Sequence, residues 1–252
     1  MEEKVKGIYH THTKYSKFNH GKDSVKDMVD EAKSLGLVEY GITDHGPRHF
    51  FGIWKKNIPK LRGEIDVLKS DTNTKLVMGL EFNLLGNDGK TDFVNKYKDC
   101  FDIRFLGAHI GAWVGFKNLF TYYLPNIFCK NNKKVIERNT NAYINALKTG
   151  LFDCITHPNE FIKVDVKRLA EACVKYNCYL ELNEKHMNLS SEDIAKILET
   201  DCKFLIGSDA HKKESILKLD RVMELIKKEN IPSDRIANLN KLPNFKEKYN
   251  NI

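Results

Sequence analysis

The chain has 252 residues, 41% hydrophobic and 30% charged, with a formal charge of +7 carried by lysines spread along its whole length. This balance excludes an intrinsically disordered chain and predicts a single domain over residues 1–252 with a sizeable core. No apolar run approaches the roughly 18 residues of a spanning helix, and MEEKVKGIYH lacks a signal-peptide core, so no membrane partner and a cytoplasmic location are expected.

Seven short β-rich runs follow one another: 5–10, 38–43, 76–82, 103–108, 152–156, 178–183 and 203–207. Helical periodicity lies between most of them, at 24–35, 57–69, 134–149, 164–176, 190–199 and 213–228. In the first of these helices Val25, Met28, Val29, Ala32 and Leu35 share a face, Ser24 is the natural N-cap and Gly36 the stop. Strand and helix in alternation mean a parallel sheet covered by helices. Residues 87–99 and 111–132 are the least regular. The second contains WVGFKNLFTYYLPNIF, for which packing is the first expectation, ahead of a lid or a dimer surface. The tail from Ile231 to Lys248 reads as a capped helical turn followed by a short exposed segment. Six scattered cysteines without a CxxC are expected to be reduced thiols.

Chemistry gathers where these strands end. The first run ends at His10 and His12, the second at Asp44 and His45, and the third at Glu81. His109, His157 and the pair Asp209 and His211 close the fourth, fifth and seventh, and the sixth, with Glu181 and Asn183, has no imidazole. In a parallel barrel those ends share one face. So many buried imidazoles and carboxylates would cost several kcal/mol each unless compensated. Divalent metals such as Zn²⁺, Mn²⁺ or Fe suit that donor set. The HxH spacing puts both side chains on one side of a strand.

HTH at 10–12, ITDHGP at 42–47, GLE at 79–81, GAH at 107–109, THPN at 156–159 and GSDAH at 207–211 resemble, in order, the motifs of the PHP (polymerase and histidinol phosphatase) family. Among its members the chain is most similar to the small stand-alone phosphatases. The resemblance implies a distorted seven-stranded (β/α) barrel holding up to three divalent metal ions. The first would be held by His10, His12, Glu81 and Asp209, the second by Glu81 as a bridge with His109 and His157, and the third by His20, His45 and His211. Such a centre implies a phosphoesterase that hydrolyses a small phosphate monoester with a metal-bridged hydroxide.

Arg48 is the first candidate to hold substrate phosphate and Lys185 the second. Asp44 would orient a ligand or shuttle a proton, and His49 and His186 are not assigned to metal. Two alternatives stay open: a histidinol-phosphatase of histidine biosynthesis, and a nuclease or DNA-repair accessory phosphodiesterase. The second would need a basic, aromatic track, for which 121–134 is thin, so no nucleic-acid partner is expected. The oligomeric state is left open.

Overall fold

The computed structural model describes residues 3–70 and 72–246. Seven parallel strands follow the chain order around one sheet: β1 (Gly7–Ile8), β2 (Glu39–Ile42), β3 (Lys75–Asn83), β4 (Ile103–Gly107), β5 (Cys154–Ile155), β6 (Tyr179–Asn183) and β7 (Phe204–Gly207). All seven lie within or overlap the expected runs, although β1 and β5 are only two residues long. Both faces of the sheet are covered, so the strands are buried almost throughout; in β3 only Lys75 is exposed.

The helices are α1 (Val25–Ser34), α2 (Ile58–Lys69), the short α3 (Phe116–Asn118) and α4 (Leu124–Phe128), α5 (Lys133–Leu147), α6 (Val166–Lys175), α7 (Ser191–Leu198) and α8 (Asp220–Lys228). Ser24 caps α1 and Ser190 caps α7 with reciprocal boxes to Asp27 and Asp193. Helix α1 buries Val25, Met28, Val29 and Ala32, the face its periodicity predicts. The helix expected over 213–228 starts only at Asp220. Glu184, 8% exposed, accepts hydrogen bonds from the amides of Arg221 and Val222 and so sets the first turn of α8. Residues 213–215 form a separate 3₁₀ turn.

The seam between β1 and β7 closes in two different ways. Near the strand ends, Thr11 bridges to Ala210 in parallel, and the His12 amide donates to the Ala210 carbonyl at 2.8 Å. Further down, the tail fills the gap. The buried Asn238 amide donates to the Gly7 and Ile206 carbonyls, and its oxygen accepts from the Ile206 N–H, all at 2.9 Å. The exposed tail expected from the sequence is therefore corrected over Ile236–Leu239, which is buried because it supplies the missing edge of the barrel. Lys248 and its neighbours from 247 onward lie outside the described residues.

Inside the barrel, Tyr9, Val77, Ile103, Phe105, Cys154, Tyr179 and Leu205 pack the lower half, and a larger apolar layer lies between strands and helices. Only the C-terminal ends of the strands are left for polar groups. The 111–132 segment departs from the packing expectation: Phe116, Phe120 and Phe128 are 76%, 68% and 78% exposed. A π-wound stretch at Leu119–Tyr123 turns Tyr122 into the core, while these rings face out. None of the six cysteines forms a disulfide. Among the described residues no helix is long and apolar enough to cross a membrane.

Candidate metal centre

The chain leaves each strand at the same end, and the local backbone decides which side chains overhang the mouth. After β1, Thr11 turns away: its hydroxyl donates to the Gly41 carbonyl at 2.8 Å and accepts from the Tyr40 hydroxyl at 2.9 Å. His10 and His12 are thereby aimed together into the mouth. His45 bridges alongside Glu81 of β3. His157 and Asp209 have φ of 28° and 49°, left-handed values that cost a non-glycine residue roughly 1–3 kcal/mol each. Both lie where β5 and β7 run out into the mouth.

Glu81, fully buried, is the hub. Its Oε1 lies 2.6 Å from His157 Nε2, 3.0 Å from His109 Nε2 and 2.8 Å from the Thr156 hydroxyl that donates to it. Its Oε2 faces His45 Nδ1 at 2.8 Å, His10 Nε2 at 3.4 Å and His12 Nε2 at 3.9 Å. Asp209 Oδ1 lies 3.2 Å from His12 Nε2 and 3.9 Å from His10 Nε2. His20 Nε2 stands 2.8 Å from His211 Nε2 and 3.3 Å from His45 Nε2. All nine residues expected as ligands therefore meet at one mouth. Their grouping overlaps more than the three expected sets, because His12 also sits with His45 and His211, and His45 with Glu81 and His109.

Three of the imidazoles have a polar partner behind them. His10 Nδ1 is hydrogen-bonded to Glu181 Oε1 at 2.6 Å and His109 Nδ1 to Asn83 Oδ1 at 2.7 Å, while His157 Nδ1 lies 2.7 Å from Glu160 Oε2 without hydrogen-bond alignment. In His10 and His109 an acceptor at Nδ1 keeps a proton there and turns Nε2 toward Glu81, which is how protein scaffolds orient metal-binding histidines. Asn83 is itself fixed by Asp92 Oδ2 at 2.7 Å.

Burial dominates the protonation states. It drives His12 and His45 well below the usual imidazole range, reinforced by the neighbouring His211 and His12 respectively. It takes His20 down to about 4 and His49 to about 2. Burial opposes ionisation of Glu81, but the imidazoles of His109, His10, His157 and His45 outweigh it and hold the carboxyl well below its ordinary value. Asp209 is likewise held low, against its burial, by His10 and His12. His10 and His157 go the other way: burial lowers them, but Glu181 and Glu81 raise the first, and Glu81 and Glu160 the second. The neutral imidazoles of His12, His20 and His45 and the ionised carboxylates of Glu81 and Asp209 are already in the form a divalent cation binds, whereas His10 and His157 would release a proton to it.

The protein alone does not satisfy this cluster. His10 Nε2, both His12 ring nitrogens, His45 Nδ1, Glu81 Oε2 and Asp209 Oδ1 are buried without a properly directed hydrogen bond. Each such orphan costs about 1–3 kcal/mol. Imidazole nitrogen and carboxylate oxygen converging on shared points are what Zn²⁺, Mn²⁺ or Fe²⁺ bind, so the residues fit divalent metal ions.

Asp44 and Arg48 are not brought into this cluster. Asp44 is fully buried, and its carboxylate accepts from the Thr13 amide at 2.8 Å, the Thr13 hydroxyl at 2.7 Å and the Ser16 hydroxyl at 2.6 Å. With both oxygens engaged by the loop that runs from His12 to His20, it ties that loop down, and the expectation of a proton shuttle is corrected. Arg48 is exposed, its guanidinium donates to the Trp113 carbonyl at 3.4 Å, and it does not line the cavity over the cluster. Lys185, the second candidate, does reach: its Nζ lies 3.3 Å from His211 Nδ1. A cavity of about 300 Å³ opens over the cluster between His20, His109, Glu160, Lys185 and His211.

Sequence reasoning passed over four residues here. Glu181 was visible at the end of strand six, but as a residue without an imidazole. Glu160 follows THPN with no motif of its own. His49 is 7% exposed and its ring centroid is 4.2 Å from that of His45. His186 spans from Glu160 Oε1 at 2.9 Å to Asp209 Oδ2 at 3.4 Å. Histidine count alone marked these last two.

A parallel barrel with a carboxylate-centred imidazole cluster at the C-terminal strand ends defines a class, the barrel proteins built to hold divalent metal ions. Within it the chain belongs to the PHP domain family, whose model matches residues 9–185. A protein of Tolumonas auensis named "Probable phosphatase" is 30% identical over 246 residues, covering 91% of this chain and 87% of that one. One of the same description from Caldanaerobacter subterraneus is 27% identical over 251 residues, covering 93% and 88%. Among solved structures, the histidinol phosphate phosphatase of Lactococcus lactis, complexed with zinc, L-histidinol and phosphate, superposes with a TM-score of 0.59 at 17% identity. It covers 96% of this chain and 97% of its own.

Proposed function

We propose that the protein, working as one cytoplasmic domain over residues 1–252, is a metal-dependent phosphatase of small phosphate monoesters. The observation that carries this reading is Glu81, a buried carboxylate with imidazoles on both oxygens: His157 and His109 at Oε1, His45 and His10 at Oε2. His10, His12, Glu81 and Asp209 would hold one ion, Glu81, His109 and His157 a second, and His20, His45 and His211 a third. Divalent ions so bound acidify water toward neutrality and offset the negative charge on phosphoryl oxygens.

The protein's own groups do the positioning. Glu181 and Asn83 orient His10 and His109 so that each presents Nε2 to the mouth, and Glu160 stands as a charge beside His157. Asp44 fixes the loop between His12 and His20. Lys185 is the cation placed to bind a non-bridging phosphate oxygen, the role first expected of Arg48. No serine, threonine or cysteine nucleophile is required.

The family and the phosphatase names of the relatives support the reading, as does the metal-fit of the cluster. The likeness to the Lactococcus lactis fold favours histidinol phosphate as a second reading. A phosphate-release panel of histidinol phosphate, sugar phosphates and nucleotides, with and without added Mn²⁺ or Zn²⁺, tests both. Metal-stimulated release is expected. Preference for histidinol phosphate selects the second reading, release of mononucleotides from single-stranded DNA would replace it with a nuclease, and no release by metal-loaded protein would overturn the proposal.

A further inference from the structure

A second chamber, of about 410 Å³, adjoins the metal cavity and shares Lys185, Asp209 and His211 with it. The two differ in character. Lys185 is the one lysine or arginine lining the metal cavity among the described residues, whereas the chamber adds Lys22, Lys212, Lys218 and Arg221.

Two carboxylates also line it, and both are committed. Glu184 accepts the first amides of α8, and Asp209 faces His12 and His10. Lys22 donates to the Asn19 carbonyl, and Arg221 to the Glu184 and Lys185 carbonyls, contacts that leave their charge uncompensated. No ion pair joins Lys185, Lys212 or Lys218 to a carboxylate among the described residues.

Ser208, 5% exposed, lines the chamber with its hydroxyl buried behind the wall rather than open to it, so the charge in the chamber comes from the lysines and Arg221. Clustered uncompensated ammonium groups repel one another unless an anion sits between them.

We propose that this chamber binds a second anionic group of the substrate, a phosphate or a carboxylate, while the first phosphate lies over the metal cluster. This rests on the phosphatase reading and narrows it to doubly anionic esters. Lys185, shared by both cavities, is the joint between the two subsites, and Lys212 and Lys218 recognise the distal group.

The test compares kcat/KM for matched pairs in the metal-loaded enzyme: fructose 1,6-bisphosphate against fructose 6-phosphate, and 3-phosphoglycerate against glycerol 3-phosphate. The doubly anionic member is expected to be favoured by about tenfold or more, the contribution of one or two charge-assisted contacts. The first pair reads a phosphate, the second a carboxylate. In Lys212→Ala/Lys218→Ala, both exposed positions, the ratio within the favoured pair is expected to fall toward one. Equal kcat/KM within both pairs, or a preference that survives the double substitution, would overturn the inference while leaving phosphatase activity standing. Absence of hydrolysis for every ester would instead remove the reading on which it rests.

Discussion

Replacing Glu181 by glutamine changes one charge at nearly constant volume, on a residue outside the expected ligand set. Its carboxylate is 1% exposed and accepts on both sides: Oε1 from His10 Nδ1 at 2.6 Å, Oε2 from the His157 amide at 2.8 Å and Asn183 Nδ2 at 2.9 Å. Glutamine has a single acceptor oxygen, so whichever way its amide turns, an NH₂ faces an N–H. The hydrogen bond to His10 loses its ionic character, an interaction that contributes about 1.5–3 kcal/mol. Loss of such an outer partner weakens metal binding about 10–100-fold, equivalent to about 1.4–2.7 kcal/mol. The two figures agree in size. Competition with a chromogenic chelator, on protein shown by circular dichroism to be folded, reads the affinity directly. A folded Glu181→Gln protein with wild-type metal affinity and turnover would refute the idea that His10 is a metal ligand oriented from behind.

Other perturbations probe different parts of the same structure. A Cβ at Gly107 would come within 2.6 Å of the Thr156 hydroxyl, 2.7 Å of His109 Cε1 and 3.0 Å of Glu81 Oε1. Gly107→Ala is therefore expected to cut kcat at least about tenfold through displaced ligands, with chelator competition showing weakened metal binding. Asn238→Ala strips three hydrogen bonds from the seam between β1 and β7, and should cost about 2–4 kcal/mol in urea unfolding. Burial raises the Asp153 carboxyl to about 6. The folded state then holds that proton more tightly than the unfolded chain, so this group's contribution to stability is greatest below about pH 4 and is lost as pH rises through 6. Relative to wild type, Asp153→Asn should gain about 2 kcal/mol between pH 4 and 7, measured by urea unfolding at both values.

The legible features were those repeated at fixed places in the strand–helix alternation. His10, His12, Glu81, His109, His157 and Asp209 could be read because each stands where an apolar β run stops, and a parallel barrel collects such positions. His20 lies in a loop, and its meeting with His211 depends on the tie between Asp44, Thr13 and Ser16, which no spacing reveals. Arg48 and Lys185 were indistinguishable as isolated cations; a loop turned one toward Trp113 and the other toward His211. The start of α8 was hidden because its capping carboxylate, Glu184, comes from 36 positions before Asp220 rather than from the preceding residue. The buried tail was misread for a similar reason. Its polar Asn238 looks like a surface residue until two strand edges are found beside it.

The cluster around Glu81 is most directly tested by counting metal. Protein expressed in metal-supplemented medium, or dialysed against micromolar Mn²⁺ or Zn²⁺ and freed of excess, would be measured by elemental analysis beside its Glu81→Gln variant. A centre shared through Glu81 predicts two to three divalent ions per chain in the first and, at most, about one in the second. A folded wild-type chain that holds none at micromolar supply would contradict the metal centre, and the proposed phosphatase chemistry with it.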